Sequence, residues 1–214
     1  DPRAVLPIDK VSDVLKEVKL IGVAECYCRK AKKLVGEACE HPLETCFVFD
    51  GLAQTLIESK IARRVDYEEA MQILRDCEEA GLVHNVDNCR GSYKSLCNCC
   101  ACSCVVLKTI QRGQTNAGSA SRFVIEFNPQ KCRSAGKCYA VCPSGALKKG
   151  NGHPRLDPSV CLGCGQCASV CPEGALRLVP RKVQPKIPKT NEAMMSKITR
   201  EAVVGIAVNK LLGR

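Results

Sequence analysis

Cysteine side chains carry most of the chemistry that this sequence could perform, since 18 of its 214 residues are cysteine. Between Cys132 and Pro172 they follow a repeated order. The second copy begins at Cys161 and is a complete C-x2-C-x2-C-x3-C-P run, a spacing that binds iron–sulfur clusters through thiolates. The first copy begins 29 residues earlier and has Ala135 where its second cysteine belongs. Zinc sites use paired C-x2-C motifs, so the duplicated run favours iron–sulfur clusters over zinc.

The repeat also predicts how the ligands are shared. In such runs the cysteine before the proline ligates the other cluster, because the chain has by then crossed to it. One four-iron (4Fe-4S) cluster is therefore expected on Cys142, Cys161, Cys164 and Cys167. The other cluster would have only Cys132, Cys138 and Cys171. Three ligands fit a three-iron (3Fe-4S) cluster, or a four-iron cluster whose open corner Ser134 or a water fills; the three-iron relay cluster is our preferred interpretation.

Taken together, both copies resemble the bacterial dicluster ferredoxins over residues 122–179, and Ala135 is the departure from that family. The resemblance implies a ferredoxin-like fold and one-electron transfer. Each half is predicted to contain a strand, a cluster loop, a short helix and a strand. The first strand is expected at 123–127, and Leu147 is expected to pair with 176–179.

Nine further cysteines lie upstream in two groups. They are Cys26, Cys28, Cys39 and Cys46, followed by Cys97, Cys99, Cys100, Cys102 and Cys104. Nine thiolates could serve two four-iron clusters with one left over, with structural zinc as the alternative. The second group is too short to hold a cluster alone, so we expect the two groups to share sites. If that group is extended, Cys97 and Cys99 face one side and the other three cysteines face the opposite side.

This upstream part resembles a group of longer iron–sulfur proteins. They carry a C-x-C-R…C…P-x-E-x-C segment, a Gly-Leu-Val helix end and a dense cysteine run before a dicluster ferredoxin. The matching residues here are Cys26-Tyr-Cys28-Arg29, Cys39, Pro42-Leu-Glu44-Thr-Cys46, Gly81-Leu-Val83 and Cys97 to Cys104. The resemblance implies additional cluster binding and assigns no reaction.

The predicted fold class is α+β, with a ferredoxin-like dicluster domain after a Cys-rich, mainly helical N-terminal domain that has a winged-helix-like portion. Helices are predicted at 11–20 and 50–60, and the capping box of Asp66 and Glu69 begins another helix, which Gly81 ends before a strand at 82–86. The predicted division is an N-terminal domain at 1–110, a linker at 111–121, the ferredoxin domain at 122–179, a Pro-rich linker at 180–190 and an amphipathic docking helix at 191–214.

That last helix is predicted to begin at the cap Asn191 and to carry Met194, Ile198, Ala202 and Ile206 on one stripe. We expect it to dock on a partner; association with a membrane surface is the second interpretation. No run of about 18 apolar residues is present, so no membrane-spanning segment is predicted. The chain begins at Asp1 rather than Met, and we expect it to belong to a longer protein.

The formal net charge of +10 does not indicate nucleic-acid binding. Each four-thiolate cluster carries about two negative charges, so three or four clusters would offset about six to eight positive ones. Tryptophan is absent and aromatic residues make up 4% of the chain, which disfavours a surface for stacking bases. Thiolate ligands must be reduced, so we expect a reducing, anaerobic cytoplasm.

The main functional hypothesis is an electron-transfer subunit that relays single electrons through several clusters to or from a catalytic oxidoreductase subunit. The alternative is an iron–sulfur enzyme that binds substrate at the open iron near Ala135 or at an unusual N-terminal cluster. A third hypothesis is a cluster-sensing regulator that binds DNA through the winged-helix-like portion.

Overall fold

The computed structural model describes residues 3–37, 39–87, 89, 93–114, 117–119 and 121–211, and it has an α+β fold. A six-stranded antiparallel sheet forms the centre of the N-terminal part, in the order β1-β5-β6-β3-β2-β4. Its strands are β1 (Arg3–Val5), β2 (Ile21–Glu25), β3 (Glu44–Phe49), β4 (Ala62–Val65), β5 (Val83–Asp87) and β6 (Ser95–Cys99).

Five helices accompany this sheet: α1 (Ile8–Glu17), α2 (Tyr27–Leu34), α3 (Asp50–Glu58), α4 (Tyr67–Glu79) and α5 (Val105–Gln111). Helices α1 and α4 share one apolar core with Phe47 of β3 and Leu96 of β6. Helix α3 packs on the opposite face, where a Cβ added at Gly22 of β2 would lie 3.5 Å from Ala53 and Ile57 of α3 and 3.1 Å from Val48 of β3. The side chain of Asp66 accepts a hydrogen bond from the backbone N–H of Glu69 at 2.8 Å, which confirms the predicted N-cap.

The central sheet differs from the mainly helical N-terminal domain expected from the sequence. Strands β3 and β6 each contain cysteines, and β1 and β4 have only 3 and 4 residues. Cysteine-rich and very short segments do not show the apolar alternation by which strands are predicted. The helix and strand that suggested a winged-helix-like portion are α4 and β5, and β5 is an inner strand between β1 and β6.

The ferredoxin-like part contains β7 (Phe123–Phe127), α6 (Lys137–Ala140), β8 (Leu147–Lys148), β9 (Arg155–Leu156), α7 (Gln166–Ser169) and β10 (Leu176–Pro180). The predicted pairing of Leu147 with 176–179 is wrong. Strand β10 pairs with β7, and β8 pairs with β9. In a duplicated unit this is the symmetric solution, because the first strand of each half pairs with the last strand of the other.

Hydrogen bonds fasten the ferredoxin-like part to the N-terminal part. The side chain of Gln166, on α7, donates to the carbonyl oxygen of Leu82 at 2.9 Å. Ser121 Oγ donates to the carbonyl oxygen of Val5 at 3.1 Å, and the side chain of Gln111 donates to that of Pro143 at 2.8 Å. The predicted linker at 111–121 is therefore anchored at both ends.

The last helix, α8, spans Asn191–Leu211. Thr190, not Asn191, caps it, because Thr190 Oγ1 accepts from the backbone N–H of Ala193 at 3.2 Å. Within the predicted stripe, Met194 is buried and Ile198 is half-buried, while the side chains of Ala202 and Ile206 lie outside the described residues. No helix in the described part of the chain is both long and apolar enough to span a membrane.

Candidate metal centres

The cysteines of the ferredoxin-like part form two neighbouring groups, and cysteines of both groups pack in one apolar cluster. Cys164 and Cys167 are each close to Cys142 and Cys161, and burial together with these neighbouring thiolates raises the pKa of Cys164 to about 12. Cys171, the last cysteine of the second run, instead lies near Cys138 and Cys132. The structure thus brings together Cys142, Cys161, Cys164 and Cys167 as one group, called the complete site here. Cys132, Cys138 and Cys171 form the other, called the incomplete site.

The complete site depends on a tight loop at Gly163. This glycine has a φ of 62°, and an added Cβ would overlap the carbonyl oxygen of Phe123 in β7. The loop can therefore lie against the β7 backbone only if the residue has no side chain.

Replacing Gly163 by alanine should strongly accelerate thermal loss of the iron–sulfur cluster that the sequence predicts at the complete site, because both the left-handed backbone and the overlap with β7 oppose the native loop. Gly174→Ala is the matched control, since Gly174 has a φ of 58° but open space around the added Cβ. That control should cost only about 1 kcal/mol. Bleaching of the cluster absorbance during heating measures both, and equal shifts would contradict the close-packing argument.

The incomplete site opens into a cavity of about 170 Å³ that is lined by Ala135 and by all three of its cysteines. Ala135 itself is exposed. The neighbouring Ser134 donates its backbone N–H to Cys132 Sγ at 3.4 Å, while its hydroxyl hydrogen-bonds the carbonyl oxygen of Gly152. The Ser134 hydroxyl is thus engaged by the backbone rather than held over the three thiols. Several basic groups line the same cavity: Arg133, Lys137, Lys149 and His153.

Six upstream thiols form a continuous hydrogen-bonded chain on the α3 side of the sheet, and we call this set the six-thiol group. Each thiol hydrogen-bonds the next in the order Cys28, Cys26, Cys46, Cys97, Cys99 and Cys104. Cys46 lies on β3 and Cys97 on the adjacent β6, so the sheet register itself brings two distant segments together. Hydrogen bonds from Cys28 and Cys46 lower the pKa of Cys26, so this group already stabilises a thiolate.

Three further upstream cysteines form a second set, which we call the three-thiol site. The sulfurs of Cys39, Cys100 and Cys102 all lie within 4.8 Å of one another. Strand β6 ends at Cys99, and a turn follows in which the backbone N–H of Cys104 donates to the carbonyl oxygen of Cys100 at 3.0 Å. This turn returns Cys104 to the side of Cys97 and Cys99, so the extended alternation predicted for 97–104 fails after Cys99.

Comparison with known proteins gives information about the sites of the ferredoxin-like part. Residues 124–172 match the family model of the 4Fe-4S dicluster domain. The chain therefore contains a ferredoxin-type iron–sulfur domain, the kind of domain that serves in electron transfer. Neither the curated proteins nor the solved structures contain a match to the chain.

Through Cys164 of its complete site, the ferredoxin-type domain packs against an apolar cluster that contains two thiols of the six-thiol group. Cys99 and Cys104 belong to a buried apolar cluster with Val83 and Leu107, and Cys164 packs against it together with Leu162. Cys164 and the missing ligand at Ala135 occupy equivalent positions in the two halves of the repeat. One of these positions therefore faces the upstream thiols, whereas the other opens to solvent.

A buried arginine, Arg29 of α2, lies between the two upstream sets of thiols. Its guanidinium donates to Cys100 Sγ at 3.5 Å and to the carbonyl oxygen of Asn98 at 3.1 Å, and it also hydrogen-bonds Thr45. Burial disfavours its charge, but the bond to Cys100 and the negative potential of Cys26, Cys100 and Cys46 outweigh that effect and raise the pKa of Arg29. Arg29 thus supplies a fixed positive charge to both sets.

Sequence reasoning did not assign roles to Arg29 or Gln166, although Arg29 appeared in the C-x-C-R motif. Both are buried polar side chains whose partners are distant in the chain, so the sequence carries no signal beyond that motif.

Three further residues that the sequence offers as weaker metal ligands are Cys77, Cys89 and His41. Cys77 is fully buried in an apolar cluster with Leu82 and Cys100, and Cys89 is also buried. His41 is half-buried, and its backbone N–H bonds to Cys39.

Proposed function

We propose that this protein relays single electrons through a row of iron–sulfur clusters to or from a catalytic oxidoreductase subunit. The observation that carries the proposal is the packing of Cys164 and Leu162 against the apolar cluster of Cys99 and Cys104. It supports a linear order of the sites, from the six-thiol group through the complete site to the incomplete site. Electrons can pass between clusters only when neighbouring clusters are close, and this order provides that.

The residues present fit such clusters. Four thiols surround the complete site and three surround the incomplete site, each drawn from both runs of the repeat as crossed ligation requires. When bound, the clusters supply one-electron oxidation and reduction. The chain's own side chains hold the clusters, and Val83, Leu107 and Leu162 exclude water where the six-thiol group adjoins the complete site. We propose one further four-iron cluster, or a larger one, on the six-thiol group.

The incomplete site is the proposed point of exchange with the partner. It is the exposed end of the row, and basic side chains at Arg133, Lys137 and Lys149 line its cavity. A positive rim attracts an acidic protein surface and accelerates its association at low salt. Helix α8 would add a second contact, because Met195, Val203 and Val204 are exposed on it.

No nucleic acid is needed in this proposal, and a reducing cytoplasm would keep the thiolate ligands available.

Iron content and electron paramagnetic resonance (EPR) test the relay. In the anaerobically purified chain we expect about seven irons in the ferredoxin-type domain and about four or more in the six-thiol group. Cys46→Ser should lose the upstream iron alone and should remove the spin–spin broadening that the complete-site cluster shows when both are reduced. Unchanged broadening in that variant, with its upstream iron lost, would refute the proposed adjacency.

A catalytic role remains the second candidate, because a cavity opens directly on the incomplete site. Such an enzyme would bind substrate at the iron that lacks a cysteine ligand. A substrate-dependent change in a four-iron EPR signal would favour this role. A three-iron signal that candidate substrates leave unchanged would favour the relay.

A further inference from the structure

We propose that the three-thiol site of Cys39, Cys100 and Cys102 binds a single divalent metal ion, zinc, and is not an iron–sulfur cluster site. The distance between Cys39 Sγ and Cys100 Sγ is 3.9 Å, and Cys102 Sγ lies within 4.8 Å of both. Three thiolates at about 2.3 Å from one tetrahedral zinc ion are about 3.8 Å apart. The sulfurs therefore already have the spacing of a mononuclear site.

The ferredoxin-type domain provides an internal comparison. Among the described residues, no three of its thiols come within 4.8 Å of one another, although they form the two groups described above. Ligands of a four-iron cluster must stand further apart, because the irons and sulfides lie between them. The six-thiol group is likewise a chain of pairwise contacts and contains no such compact trio. In the part of the chain that the structure describes, only the three-thiol site has three thiols spaced closely enough to bind a single metal ion.

The ion would join two segments that both carry six-thiol ligands. Cys39 lies in the loop between α2 and β3, and Cys100 and Cys102 lie in the turn before α5. The cysteines that flank this loop and turn, Cys28, Cys46, Cys99 and Cys104, belong to the six-thiol group. A metal at the three-thiol site would therefore hold the loop and the turn in register without itself transferring electrons, since zinc has no redox chemistry in proteins.

The charge of Arg29 and the exposure of Cys102 indicate how the ion would be coordinated. Three thiolates on a divalent ion leave one net negative charge, and the Arg29 guanidinium, 3.5 Å from Cys100 Sγ, offsets it. Cys102 is exposed, so the fourth position of the ion opens towards solvent on that side. Ser103 Oγ lies 3.5 Å from Cys39 Sγ and can hydrogen-bond that thiolate.

Zinc and iron quantification on the full chain, purified anaerobically with its clusters, tests the proposal. We expect one zinc per chain with three sulfur ligands at about 2.3 Å by zinc-edge X-ray absorption. Cys102→Ser should lose the zinc and keep all the iron, and because Cys102 is exposed the substitution should leave the fold intact. Cys46→Ser is the matched control and should lose iron but keep the zinc.

Loss of about four irons from Cys102→Ser would overturn the proposal, because it would make Cys102 a ligand of a four-iron cluster. A wild-type chain that takes up neither zinc nor cobalt after anaerobic reconstitution would overturn it as well. In the supporting case, cobalt added to zinc-free protein gives the sulfur-to-cobalt charge-transfer absorption of a thiolate site, and Cys39→Ser abolishes it. Neither the zinc content nor the cobalt absorption depends on whether neighbouring clusters lie close together. A failure of the proposed electron relay would therefore be distinguishable from a failure of the zinc proposal.

Discussion

Replacing Ala135 by cysteine is expected to add about one iron to the incomplete site and to abolish the three-iron EPR signal that we propose for it. Ala135 holds the position that Cys164 holds in the other half of the repeat. It is exposed and lines the cavity beside the three thiols, so the new sulfur would enter open space rather than a packed core. A fourth thiolate at this corner would retain the iron that three ligands leave unsupported.

The control for this change is Ala140→Cys, which places a new thiol on the exposed surface of α6 but outside the ligand position. It should leave the iron content and the EPR spectrum unchanged. Iron analysis and EPR on both anaerobically purified variants measure the difference. If Ala135→Cys changes neither quantity, then Cys132, Cys138 and Cys171 do not hold the cluster that we assign to them.

The ferredoxin-type half was largely predictable because its information is local and duplicated. The C-x2-C-x2-C-x3-C-P spacing places ligands within one loop, and the repeat then indicates which loop matches which. Strand β7 was predicted at its observed bounds, and the family match covers residues 124–172. The strand pairing was wrong because it depends on the symmetry of two halves, which no single segment specifies.

The upstream half was predictable only in part, because its sites combine segments that are far apart in the chain. The sequence indicated that 26–46 and 97–104 share sites, and the structure brings Cys46 to Cys97 and Cys39 to Cys100. The division into six and three thiols depends on the turn after Cys99, where the chain ceases to be extended. Strand alternation could not anticipate that turn, so Cys104 was assigned to the wrong side.

The second large effect is expected at Arg29. Replacing it by leucine should empty the upstream sites of metal while the ferredoxin-type domain keeps its own iron. Arg29 is 3% exposed, and its guanidinium contacts Cys100 Sγ, Asn98 and Thr45. Removing one partner of a buried ion pair costs about 3–5 kcal/mol, because the remaining charge has no counter-charge and no water. Here the remaining charges would be the thiolates and any cluster or ion that they bind.

Arg29→Lys tests the positive charge of Arg29 separately from the hydrogen-bond geometry of its guanidinium. It keeps a positive charge but cannot reproduce the planar fork that reaches Cys100 and Thr45 together, so the upstream sites should fill partly and less stably. A charge lost at about 7 Å from a cluster, with an effective dielectric constant of about 20, changes its reduction potential by on the order of 100 mV. Arg29→Lys should therefore preserve the potential of the upstream cluster far better than Arg29→Gln, in any fraction of molecules that retains it.

Arg63→Leu is the matched control for Arg29→Leu. Arg63 also binds two side chains, Glu44 and Glu69, but all three are exposed, so the loss should be at most about 1 kcal/mol with no metal released. Metal analysis, thermal unfolding and potentiometric EPR titration compare the two variants. If Arg29→Leu retains the upstream metal and is no less stable than Arg63→Leu, the buried guanidinium does not support the two sets of thiols.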